Sequence, residues 1–225
     1  MTFSLAARCL KTGRFGVAIS SSSPAVAARC AHARADVGAV CSQNITDPRL
    51  GYSALDLMAL GASSRAALEV LASETPNIQY RQLVAIDSHG RPSVFSGEHV
   101  LGTNAFAYGL NVAAAGNMLA NEGVPAAMVA AFEAAPGHLG DRLMAGLIAG
   151  FEAGGEAGPV HSAGLLMVGK VSFPIADLRV DWDEFDPIGK LRDLWDLYKP
   201  QLDAYITRAL DPTVAPGYGV PGDDR

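Results

Sequence analysis

Two apolar runs around a tight turn open the chain, and they restrict its fold more than anything that follows. TFSLAAR covers residues 2–8 and FGVAIS covers 15–20, with KTGR at 11–14 between them. Such a pair is the signature of a β-hairpin, with a glycine free to take the turn's positive φ. The pattern recurs downstream: LVAID at 83–87 and PSVFSG at 92–97 flank SHGR, a second hairpin. Hairpins join neighbouring antiparallel strands, whereas a doubly wound parallel sheet needs a helix between each strand and the next. A layered α+β fold with largely antiparallel sheets is therefore expected.

The remaining elements fit that frame. VGAVCSQN at 37–44 is a buried strand. FAYGLNVAAAGNML, within 98–121, is strand rather than helix, because Gly109, Asn111 and Gly116 weaken a helix. SAGLLMVG at 162–169 and IADLRVDW at 175–182 are strands. Ser23 is placed to cap a short helix with Pro24 at its first position, carrying AVAARCAHAR to near Asp36. Residues 53–61 and 64–73 are two helices that begin on serine. Pro125 opens another helix, and Leu139, Leu143, Leu147 and Phe151 stripe the one after it. Residues 187–210 are helical, with Ile188, Leu191, Leu194 and Trp195 on one face. One domain over 1–211 is expected, followed by a Pro- and Gly-rich mobile tail over 212–225.

Composition narrows the function classes. The chain is 49% hydrophobic, enough for a substantial core, and carries a net charge of −6 with only four lysines. No Lys/Arg cluster is present, which argues against nucleic-acid binding. No apolar run reaches the length of a membrane span, and the first residues lack the pattern of a signal peptide. Cys9, Cys30 and Cys41 form no CxxC pair, and an odd count does not suggest a disulfide framework, so a reducing, cytoplasmic setting is expected. His32, His89, His99, His138 and His161 show no metal-binding spacing, and no glycine-rich nucleotide loop occurs, so neither metal nor cofactor is expected.

The chemistry concentrates at MT, the first two residues. Met removal exposes a threonine whose hydroxyl and α-amine share one residue. With a reference pKa of about 8, the amine takes up the hydroxyl proton as the oxygen attacks a carbonyl. Thr2 on the first strand is thus a candidate nucleophile, beside its ordinary role as a strand residue. The SSSSP loop at 20–24 offers Ser20, Ser22 and a helix N-terminus as oxyanion donors. Gln43 and Asn44, ending the third strand, and Asn117, in GNML, are candidates to orient a substrate. Each also has a plain structural reading, as turn or strand-end residue.

TFSLAAR, FGVAISSSSPAVAARC, VGAVCSQN, YSALDLMALGASSRAALEVL, RQLVAID and GNMLA follow one another in a specific order. This ordered set resembles the bacterial and archaeal family called domain of unknown function 1028, from residue 2 to about residue 200. That family looks like a branch of the N-terminal nucleophile hydrolases. The resemblance implies a four-layer αββα sandwich of two stacked, mainly antiparallel sheets, and cleavage of an amide bond in a small or peptide-like substrate by an N-terminal residue. The chain departs from the better-known threonine-dependent hydrolases in lacking a lysine near the nucleophile. Lys11 lies in the first turn, and Arg29, Arg34 and Arg49 are the other early cations. Two readings follow: an amidohydrolase using Thr2, or a non-catalytic small-molecule binding or assembly protein on the same scaffold. A Cys41-based hydrolase is a weaker third. The apolar helical faces allow a homodimer.

Overall fold

The computed structural model describes residues 1–223. The chain runs β1 (Thr2–Arg8), β2 (Phe15–Ser21), α1 (Val26–Cys30), β3 (Ala31–Arg34), β4 (Gly38–Asn44), α2 (Arg49–Ala59) and α3 (Ser64–Glu74). It continues with β5 (Arg81–Asp87), β6 (Pro92–Ser96), β7 (Ala105–Gly109), β8 (Val112–Asn117), α4 (Val124–Ala134) and α5 (Leu139–Glu152). It ends with β9 (Ser162–Val168), β10 (Pro174–Val180), α6 (Pro187–Tyr198) and α7 (Leu202–Leu210).

The strands form a six-stranded sheet in the order β10-β9-β2-β1-β8-β7 and a four-stranded sheet in the order β3-β4-β5-β6. Neighbours in both sheets pair antiparallel. The two hairpins expected from KTGR and SHGR are β1–β2 and β5–β6.

The layering follows from the two-residue period of each strand. In β1, Phe3, Leu5 and Ala7 join a core with Met128 and Phe132 of α4, Leu143 and Leu147 of α5, and Leu191 and Trp195 of α6. Ala6 faces the other way, into a core shared by Val17 and Ile19 of β2 with Cys41 of β4 and Val84 and Ile86 of β5. On the far side of the smaller sheet, Val40, Leu83 and Ala85 pack against Leu50, Leu55, Leu68 and Leu71 of α2 and α3. Helix, sheet, sheet and helix thus stack as an αββα sandwich.

Several boundaries differ from the sequence reading. The first helix spans only five residues, and AHAR pairs with β4 as strand β3. Local alanine content favours helix, but pairing with a buried strand overrides it. Ser23 caps nothing: the residue before α1 is Ala25, in the left-handed region, with no side-chain cap. Helix α2 starts at Arg49, ahead of Ser53, whereas α3 is capped by Ser63, which accepts from Ala66 N–H at 3.1 Å. Phe151, at the end of the α5 stripe, is 48% exposed, and Leu194 is part-exposed where Ile188, Leu191 and Trp195 are buried. Of the expected tail, 212–223 carries neither helix nor strand. The Arg208 guanidinium of α7 donates to the carbonyls of Pro216 and Gly217 and stacks on Tyr218. Residues 224–225 of that tail lie outside the described residues.

Candidate active site

Thr2 is the first residue of β1, a strand hydrogen-bonded on both sides. Its neighbours are Asn117 in the register of β8 and, one position on, the Phe3–Ser20 pair with β2. The side chain is 5% exposed. Strand alternation puts it on the face of Ser4 and Ala6, toward the second sheet. Its hydroxyl donates to the carbonyl oxygen of Met1 and lies 3.4 Å from Ser21 Oγ. Ser21 Oγ also donates to that carbonyl, and accepts the Ser23 backbone N–H at 3.1 Å. Two hydroxyls therefore converge on one carbonyl oxygen at a buried strand end.

Beneath them runs a buried polar network that joins the sheets. Ser4 Oγ donates to Gln43 Oε1 at 2.6 Å, and Gln43 Nε2 donates to Gln82 Oε1 at 2.8 Å. Gln82 Nε2 donates to Ser96 Oγ and to the Gly116 carbonyl. Asn117 Nδ2 donates to Gln82 Oε1 at 3.1 Å. Asn117 is fully buried, and its Oδ1 has no hydrogen-bond partner. Buried acceptors are nearly always paired, so an orphan on the cross-strand neighbour of Thr2 points to a donor not yet supplied.

Glu156 borders the site through Ser22. Gly154 and Gly155, with φ of 122° and 55°, turn the chain after α5. The turned segment is tied to the end of β8 by Ala120 N–H to Gly155 O and Ala157 N–H to Met118 O, both 3.0 Å. This holds the Glu156 carboxylate across the Ser22 backbone N–H, at 3.1 and 3.2 Å from its two oxygens. Burial pushes its carboxyl up from an ordinary 4.5 to about 7. The N-terminal amine, the Ser22 hydrogen bonds and His161 pull the other way.

The sequence-predicted residues divide. Thr2 and Asn117 are brought together, and Gln43 lies beneath them, but Gln43 has both amide groups engaged between the sheets. Ser20 Oγ is occupied by the Ser162 carbonyl at 2.9 Å. Ser22 contributes its backbone N–H to Glu156. Asn44 lies apart as a staple, donating to Tyr80 O at 2.6 Å and accepting from Leu101 N–H at 3.2 Å. The N-terminus of α1 is not free for an oxyanion: Val26 N–H meets Ser162 Oγ and Ala25 N–H meets Asp181 O. Lys11 sits in the turn beyond β1, at the opposite end of that strand from Thr2. Arg34 and Arg49 pair with Asp56 and Asp47, and Arg29 donates to Pro24 O. Cys41 is fully buried between the sheets and its thiol is pushed up to about 12, which removes it as a nucleophile. Ser21, Gln82 and Glu156 were missed. Ser21 sat within the serine run; nothing in GGEAG marked Glu156.

The architecture defines the chain as an αββα sandwich whose central strand begins with a buried threonine. Residues 2–191 match the family of unknown function DUF1028, and the chain belongs to that family. It is similar to the crystal structure of protein SPO2555 from Silicibacter pomeroyi, of the same family, with 29% identity and a TM-score of 0.83 over 88% of this chain and 86% of that one. Anbu (ancestral beta-subunit) from Yersinia bercovieri aligns at a TM-score of 0.40 and 8% identity, over 97% of this chain and 100% of that one. No curated protein matches.

Proposed function

We propose that this protein is an amidohydrolase of the N-terminal nucleophile type, acting on a small or peptide-like amide, with Thr2 as nucleophile after loss of Met1. The observation that carries this reading is the convergence of the Thr2 and Ser21 hydroxyls on the Met1 carbonyl oxygen. A nucleophile beside a carbonyl, with a second hydroxyl donating to its oxygen, is the arrangement acyl transfer requires.

With Met1 gone, the Thr2 α-amine takes the hydroxyl proton as Oγ1 attacks the amide carbon. Ser21 Oγ–H, oriented by the Ser23 N–H, donates to the developing oxyanion. The C–N bond breaks, the leaving nitrogen takes the proton from the α-ammonium, and water then hydrolyses the Thr2 ester. The orphan Asn117 Oδ1 supports the same reading: a liberated α-amine on Thr2 offers the donor it lacks, and the bond would direct the amine's lone pair. Tuning of the amine thus falls to a neutral amide rather than to a lysine.

The test uses untagged protein whose intact mass shows Met1 removed, against a panel of amides. Thr2→Ala abolishes hydrolysis, by at least about a thousandfold, with a melting temperature unchanged within a few degrees, while Thr2→Ser retains part of it. Full activity in the Ala variant refutes the proposal. The missing lysine favours the non-catalytic alternative, whose signature is a Met1 retained in the mature protein.

A further inference from the structure

Glu156 is a buried carboxylate that the reaction above leaves without a task. It is 5% exposed and, among the described residues, forms no ion pair with lysine, arginine, histidine or the N-terminus, whose tether to Thr2 keeps it short of the carboxylate. Its fixed partner is one backbone N–H, that of Ser22. Ionising a buried carboxyl with so little compensation is costly, so it keeps its proton until a cation arrives as its complement.

Met1 shows which cation fits. Its carbonyl is held by Thr2 and Ser21, where the carbonyl of an attacked substrate belongs. Its thioether end lies against Gly158, within 3.7 Å of where a Cβ there would stand. Gly158 is two residues beyond Glu156 on the same segment. The largest influence favouring ionisation of Glu156 is the positive charge of the chain's own α-amine. One residue therefore presents its carbonyl to the hydroxyls and its side chain to the 156–158 segment.

We propose that the space occupied by Met1 is the acyl subsite, and that Glu156 receives the free α-ammonium of an amino-acid residue bound there. This rests on the hydrolase reading and specifies its substrates as α-amino acid amides with an unblocked amine, including peptide N-termini. The Thr2 Oγ1–C bond forms as the amide C–N bond breaks. The leaving nitrogen departs with the proton first drawn from the hydroxyl, and water releases the free amino acid. An unbranched side chain of methionine's length fits alongside Gly158, and a blocked amine places an uncharged acyl group against the carboxylate.

The experiment uses protein beginning at Thr2, released from a cleavable leader and checked by intact mass. Calorimetry compares L-methionine with N-acetyl-L-methionine, and kinetics compares the anilides of both. L-methionine binds at least tenfold more tightly than its acetylated form, and methionine anilide is cleaved with at least tenfold higher kcat/KM. Glu156→Gln collapses both ratios toward one, mainly through KM; the wild-type comparison stands even if that variant fails to fold. Equal binding of the two ligands, or no binding of either, overturns the subsite. Equal cleavage of both anilides overturns it while sparing Thr2 as nucleophile. Discriminating binding without cleavage of either anilide overturns the hydrolase reading and keeps Glu156 as the ammonium-binding group.

Discussion

Replacing Glu156 by Gln should change how stability depends on pH. The folded protein holds the carboxyl at about 7 against an ordinary 4.5. Between those values the folded state keeps a proton that the unfolded chain has released. The contribution to stability is therefore fully present below pH 4.5 and lost as pH rises through 7. The difference corresponds to about 3 kcal/mol, with a slope of about 1.4 kcal/mol per pH step in mid-window. Gln keeps the acceptor for Ser22 N–H and removes the ionisation. The groups acting on the carboxylate, the N-terminal amine and His161, remain in both proteins, so the wild-type-minus-variant difference reports the ionisation of Glu156 together with its coupling to them. Urea unfolding from pH 4.5 to 8 is the assay. The wild type should lose about 3 kcal/mol relative to Glu156→Gln over that range. A difference constant within about 0.5 kcal/mol refutes the reasoning, because a carboxyl that ionises normally in the fold cannot be desolvated as described.

Two further outcomes test the fold beneath the site. Gln82→Met removes the acceptor shared by Gln43 Nε2 and Asn117 Nδ2. Leaving Asn117 wholly unpaired should cost roughly 2 kcal/mol in urea unfolding, with any hydrolytic activity falling as Asn117 loses its orientation. Gly51→Ala places a Cβ 2.1 Å from the buried His32 ring on β3. It should destabilise by about 1–3 kcal/mol, although alanine is the better helix former, and a stability gain would contradict the packing of α2 on β3.

Element order was legible because hairpin turns and period-two runs are local signals. The misread segments are those decided by distant partners. AVAARCAHAR has helical composition throughout, yet Ala31–Arg34 becomes a strand because β4 offers it a ladder. Thr2 and Asn117 could be singled out from their own neighbourhoods. Glu156 could not: it sits in a glycine-rich turn, and its partner Ser22 is 134 residues away in sequence. Gln43 reads from the sequence as a strand-end amide that could orient a substrate; only the facing Gln82 and Ser4 reveal it as a tie between sheets.

The central place of β1 in its sheet also sets a clock. Thr2 is covered on one side by β2, made at once, and on the other by β8, which ends at Asn117; Glu156 follows later still. At 5–20 residues per second, synthesis as far as Asn117 takes on the order of 10 s. During that interval the first peptide bond is open to an external aminopeptidase; afterwards Thr2 is buried and the Met1 carbonyl is held by the Thr2 and Ser21 hydroxyls. Excision of Met1 by such an enzyme is thus easiest on the nascent chain. On the proposed mechanism, slow initiator removal would leave a lasting fraction of molecules whose first residue fills the proposed subsite, fully folded and unable to turn over.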